Sequence, residues 1–367
     1  MYRFDNRIVA TLDAGGTNLV FGAMKGCEFI VDPITLPSNA VDLDLCLSTI
    51  VDGFTRIFNQ LKEKPVAISF AFPGPADYPS GIIGGYLLNF PSFRNGVALG
   101  PMLEAKFGVP VYINNDGDLY AFGEATGGVL PQINKRIADL GGKKVYKNLI
   151  GFTFGTGLGI GQVINGELNR GDNSCVEAFS LRNKLHPDII AEDGVSIRAV
   201  IREYKALSDE DDRELTPYDI FLIAEGKKDG NTEAARQSFA RLGEIAGDVF
   251  ATAALLSDAL IVVGGGLTGA MKYILPSLLG EMRSEIGTLN GESVKRLPMR
   301  VFNLDDEAEF ATFVVGDSRE IAIPGTDKTI TYDPMKRTGI AVTKIGASKA
   351  ISIGAYNFAL SQIDSNQ

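Results

Sequence analysis

Ile8-Val9-Ala10-Thr11-Leu12-Asp13-Ala14-Gly15-Gly16-Thr17-Asn18 is the stretch on which the reading of the fold turns. An apolar run of β-formers (8–13) meets a glycine pair, and NLVFGAM (18–24) then resumes the β pattern, giving strand, glycine turn, strand. The pattern returns at 148–166, where NLIGFTF leads into Gly155-Thr156-Gly157-Leu158-Gly159 and on to IGQVINGE. Each hairpin closes on a turn-forming pair, Lys25-Gly26 in the first and Asn165-Gly166 in the second. Two such hairpins predict a duplicated half-domain, each half turning one glycine loop toward a shared cleft.

Outward from the hairpins, VAISFAF (66–72) reads as a buried strand stopped by Pro73-Gly74-Pro75, and VYIN (111–114) as a short one. Helical spacing marks 99–108, 118–128, 195–205, 232–257 and the closing stretch 348–362. ALIVVGGG (259–266) is continuously apolar, as a parallel strand entering a glycine turn would be. The segment 311–345 alternates β-formers with turn residues and reads as an insertion of one or two hairpins. Alternating strands and helices set the class as α/β.

The 367 residues suffice for two domains, and 45% hydrophobic with 22% charged residues excludes long disorder. A net charge of -10 repels a nucleic-acid backbone and an anionic membrane surface. A small-molecule partner is expected instead, and any phosphate must be held by backbone N–H groups and a metal ion. No signal-peptide segment opens the chain and no apolar run reaches bilayer length, so the expected location is cytoplasmic. Cys27, Cys46 and Cys175 lie far apart and read as reduced thiols. A single histidine, His186, leaves acid–base work to carboxylates.

Asp13 beside a polyphosphate would be repelled unless a divalent cation lay between, which makes it a candidate magnesium-side carboxylate acting through water. Gly15 and Gly16 let N–H groups approach phosphate oxygens, although the same residues also make a plain hairpin turn. Gly155–Gly161 fits no dinucleotide fingerprint, since positions 160 and 162 are Ile and Gln, and no GxxxxGK[ST] occurs. The loop offers the Thr156 hydroxyl and several N–H donors to phosphate, or is a bulged turn. Asn115 and Asp116 sit where a strand yields to a helix. Asp116 is a candidate acceptor for a hydroxyl proton, or the pair is an N-cap. Gly264-Gly265-Gly266 gives a flat ligand a backbone to pack on, or serves tight packing. Glu177 can bind two sugar hydroxyls at once, or is a surface glutamate.

DAGGTN (13–18), PGP (73–75), NND (114–116) before a helix with Glu124, GTGLGIG (155–161) with NGEL, VVGGG (262–266) and SIGAY (352–356) resemble, in that order, the ROK family of sugar kinases over most of the chain. The resemblance implies two ribonuclease-H-like domains of the actin/hexokinase type with a central cleft, clasping ATP and a hexose or amino sugar. It implies Asp13 near Mg2+, Gly15 and Gly16 in the first phosphate turn, and Thr17 and Asn18 near the γ-phosphate. Thr156 and Gly157 then form the second phosphate loop, and Gly265 and Gly266 lie near the nucleoside. Asp116 is the base, with Gly74, Asn95, Asn115 and Glu177 around the sugar.

ROK members commonly carry GExGH and then a zinc-binding cysteine loop. Here Glu177-Ala178-Phe179-Ser180 puts Ser where the His belongs, and the cysteine cluster is missing, so no zinc site is expected. That departure leaves one of the family's two sugar-contacting glutamates without an evident equivalent. The expected domains are 1–118, on which the closing helix 348–364 packs back, and 119–347 with the β insertion near 311–345 serving oligomerisation in a homodimer. The expected reaction is ATP-dependent phosphorylation of a hexose or N-acetylhexosamine at O6. The alternative is a catalytically silent or regulatory sugar-binding protein of the same fold.

Overall fold

Val9–Ala14 and Asn18–Lys25 pair antiparallel, with Val9 opposite Met24 and Ala14 opposite Leu19. On its other side Val9–Ala14 runs parallel to Ala67–Ala71, and that strand runs parallel to Val111–Asn114. Glu28–Phe29 and Ile34–Pro37 extend the sheet beyond Asn18–Lys25. The structure, a computed structural model, describes residues 2–85, 87, 89–208 and 213–365.

Every residue of Ala67–Ala71 is buried because both faces of the sheet are covered. One face meets the helix Leu43–Gln60, whose Cys46, Ile50, Phe54 and Ile57 recur at helical spacing. Asp42 caps that helix by accepting from the Leu45 N–H at 3.0 Å. Phe54 stands edge-on to Phe21, 5.2 Å between ring centres, and burying such a ring is worth roughly 3–5 kcal/mol against alanine. The other face sets Val9, Met24 and Ala67 against Ile353, Tyr356 and Leu360 of the closing helix Ala347–Ser365.

The helix Asp116–Thr126 packs on the closing helix at two glycines. A Cβ on Gly123 would strike the Ala350 carbonyl oxygen, and one on Gly354 that of Leu119. These elements belong to the first of two units, Met1–Pro131 with Gly161–Val176 and Ile345–Gln367. The unit runs past the boundary expected at 118 because the Asp116 helix is fixed to the closing helix.

The second unit comprises Gln132–Ile160 and Glu177–Lys344. The strand Leu158–Ile164 passes from one unit to the other. The second six-stranded sheet repeats the layout of the first, in the order Glu167–Asn169, Leu158–Ile164, Leu149–Phe154, Leu260–Gly264, Arg337–Val342, Arg300–Asn303. The last four strands are mutually parallel, so a three-stranded meander followed by parallel strands occurs twice, as the paired hairpins predict. The helix Thr232–Ser257 covers this sheet with Phe239, Leu242, Val249 and Phe250, and Phe250 stacks on Phe152 at 4.0 Å between ring centres.

The segment 311–345 is not a single β insertion. Glu307–Val315 is a helix, Arg319–Ala322 and Thr329–Tyr332 form one exposed hairpin, and Arg337–Val342 is a buried central strand. Asp333-Pro334-Met335-Lys336-Arg337 resembles a turn, yet Arg337 enters the sheet because its charge is paired at 2.6 Å with Asp333.

Candidate active site

Parallel strands bring the acidic residues of the first unit to one edge. Asp13 pairs with Ala71 and Ala71 with Asn114, so Asp13 and the residues just past Asn114 meet at the carboxyl ends of the strands, where open α/β sheets bind ligands. Asp116 is the first residue of its helix, which starts two residues before the expected 118 because Asn115 caps it. The Asn115 Oδ1 accepts the Gly117 N–H at 2.7 Å, and the Asp116 Oδ1 accepts the same N–H at 2.8 Å. The cap uses the amide oxygen of Asn115 and leaves its two amide hydrogens for a ligand.

Asp116 is open to solvent at its surface yet densely surrounded by protein atoms. That desolvation pushes its carboxyl above the ordinary 3.8, the Gly117 N–H and its own N–H oppose the shift, and the negative charge of Asp13 adds to it. Desolvation pushes the Asp13 carboxyl up as well. Two carboxylates held this way are hard oxygen donors that a divalent cation would relieve, and magnesium fits such a pair when water completes its shell.

The first glycine turn follows Asp13 directly. Gly15 N–H donates to the Asn18 carbonyl at 3.0 Å, and the buried Ser38 binds the carbonyls of Gly16 and Thr17 through its hydroxyl and its N–H. Thr17 and Asn18 stay exposed on a braced turn. A Cβ on Gly16 would come within 3.1 Å of Asn89 Cβ. Gly74, past the end of Ala67–Ala71, leaves room for Tyr78, whose hydroxyl donates to the Phe72 carbonyl at 2.9 Å. Asn95 lies exposed in the turn after Pro91–Phe93.

In the second unit, Gly264 pairs with Thr153, so the Gly155–Gly157 loop and Gly265-Gly266 emerge side by side. Gly265 has φ 95°, and a Cβ there would fall on the backbone N and O of Phe154, whereas Gly266 faces open space. Only glycine allows that close approach, and the clear space beside it suits a flat nucleoside. Glu192 holds the loop from behind: its carboxylate accepts the Leu158 N–H at 3.1 Å and fills the space beside Gly157. The Ile197 N–H donates to the Gly155 carbonyl at 2.9 Å. Glu177 opens the later part of this unit, exposed beside the buried Ala178. Ser38, Asn89 and Glu192 belong to no motif, and a single sequence carries no signal that would single them out.

The sequence profile described as the ROK family matches residues 9–177. The glucokinase of Parabacteroides distasonis ATCC 8503, known from a crystal structure, is 55% identical, with TM-score 0.91 over 98% of this chain and 99% of that one. The glucokinase of Streptomyces coelicolor is 29% identical over 195 residues, 47% of this chain and 56% of that protein. The N-acetyl-D-glucosamine kinase of Vibrio vulnificus (strain YJ016) is 28% identical over 162 residues, 44% of this chain and 48% of that protein. The chain spans about half the length of these curated relatives. It belongs to the ROK family.

Proposed function

We propose that the protein is an ATP- and magnesium-dependent sugar kinase that phosphorylates O6 of a hexose, glucose first and N-acetylglucosamine next. The observation that carries this reading is the meeting of Asp13 and Asp116 at the strand ends, with a braced glycine turn directly after Asp13. Asp116 takes the proton of the sugar hydroxyl as that oxygen bonds to the γ-phosphorus and the bond to the departing ADP breaks. Asp116 then returns the proton to water. Asn115, Gly74, Asn95 and Glu177 orient the sugar. Gly15 shapes the first phosphate turn, the Gly16 N–H with Thr17, Asn18, Thr156 and Gly157 holds phosphate oxygens, and Gly265 and Gly266 bear the nucleoside. Asp13 would hold magnesium, which when bound would neutralise charge on the transferring group.

The protein is proposed to act in the cytoplasm as a homodimer, without structural zinc and without binding nucleic acid or membrane. Among the described residues no helix is long and apolar enough to cross a membrane. Phosphorus NMR of the product formed from glucose and ATP tests the position of transfer. Glucose 6-phosphate is expected, and a phosphate on any other carbon overturns the O6 assignment.

Glu177 gives the acceptor side its own prediction. A carboxylate bonded to two sugar hydroxyls contributes roughly 1.5–3 kcal/mol per bond. Glu177→Ala should therefore raise the glucose KM by at least about tenfold and leave the ATP KM within about twofold. Varying each substrate separately decides it, and an unchanged glucose KM removes Glu177 from the sugar pocket.

A further inference from the structure

Two residues before Asp116 and two residues after it, the chain carries buried polar side chains, Asn114 and Asp118. Asn114 binds a cation whose charge Asp118 also feels. Arg170, which follows the strand Glu167–Asn169, donates from Nη1 to the Asn114 Oδ1 at 2.9 Å, and the charge of Asp118 acts on the same guanidinium. The Asn114 Nδ2 is buried with no partner among the described residues, so the bond from Arg170 is what orients that amide. The guanidinium is half-buried, its carbon 5.3 Å from the ring centre of Phe358 in the closing helix. The hairpin that delivers it is fixed in turn. Asn169 donates to the Gln162 side chain at 3.0 Å, and Gly161 lies so close to the Gly117 carbonyl and Ala121 that a Cβ would overlap both.

We propose that Arg170 is the positioning residue for Asp116, fixing the strand end at Asn114 so that the carboxylate two residues further on keeps one orientation. The inference rests on Asp116 being the proton acceptor. An arginine suits the task because its rigid planar fork donates in a fixed direction, and a half-buried cation is costly unless it is hydrogen-bonded. Lysine keeps the charge and loses the fork. A proton acceptor displaced by about an ångström loses rate without losing substrate affinity.

The test compares Arg170→Met and Arg170→Lys with Asp116→Asn, each assayed with glucose and ATP–Mg2+ and each followed by thermal unfolding. Arg170→Met is expected to lower kcat at least about tenfold with both KM values within about twofold, at an assay temperature well below its Tm. Arg170→Lys is expected to fall between it and the wild type. A folded Arg170→Met with wild-type kcat overturns the inference. So does one that changes only Tm, which is what a purely structural arginine predicts. If Arg170→Met does not fold, Arg170→Lys decides: a several-fold loss of kcat at unchanged KM supports the inference, and wild-type kcat overturns it. Near-normal turnover in Asp116→Asn sinks the underlying reading, whereas an inactive Asp116→Asn beside an unaffected Arg170→Met sinks only the role of Arg170.

Discussion

Asp116→Asn is expected to lower kcat by at least about a hundredfold, the lower end for a lost general base, while sugar binding measured by calorimetry is largely kept. Asparagine retains an oxygen for the Gly117 N–H, so the helix start survives, but it cannot take a proton. The same change should stabilise the protein free of nucleotide and magnesium at neutral pH. The folded carboxyl is raised above 3.8 by desolvation and by Asp13, so its ionised form is worse off in the fold than in the unfolded chain. That penalty is full above the raised value and disappears as pH falls through it toward the unfolded value. The gain in Tm over the wild type should therefore be present at pH 7, shrink as pH falls through the raised value and be gone by about pH 4. In the wild type the same group gives kcat/KM an acid limb centred above 3.8. Near-normal turnover at pH 7, or a lower Tm there, contradicts this account of Asp116.

Gly265→Ala should act on the nucleotide side. Its φ of 95° is one that L-residues rarely adopt, and the added methyl would meet the backbone of Phe154, which cannot swing aside as a side chain can. Strain and displacement together are expected to cost about 2–4 kcal/mol of stability, and the shifted turn should weaken ADP binding at least about tenfold. Gly266→Ala is the control next door. Its Cβ would meet open space, so stability should be unchanged and any loss would appear in ADP affinity alone. Thermal unfolding and ADP calorimetry on both variants read this out. Equal behaviour of the two would mean that neither the backbone contact nor the open space matters.

The glycine turns, the strands that feed them and the helix at 232–257 were legible in the sequence because each is specified locally, by apolar runs ending in glycine or by one uninterrupted helical period. The duplicated sheet order followed from the two hairpins. The segment 311–345 misled because local turn chemistry at Asp333-Pro334 hides a strand whose burial is settled by distant partners, Leu260–Gly264 and Arg300–Asn303. The candidate site divides in the same way. Asp13, Asp116 and the glycines announce themselves through motifs. Arg170 and Glu192 act through contacts across tens of residues, to Asn114 and to Leu158, and no spacing in the chain encodes those contacts.

Release of ADP from ATP–Mg2+, measured with no sugar and then with glucose, N-acetylglucosamine, mannose and fructose each in turn, tests the central claim most directly. The account predicts that turnover is negligible without sugar and rises by orders of magnitude with at least one of these hexoses, glucose first. ADP release equal with and without every sugar would make the protein an ATPase without a sugar acceptor. No release under any condition, with sugar still bound in calorimetry, would make it a sugar-binding protein without catalysis.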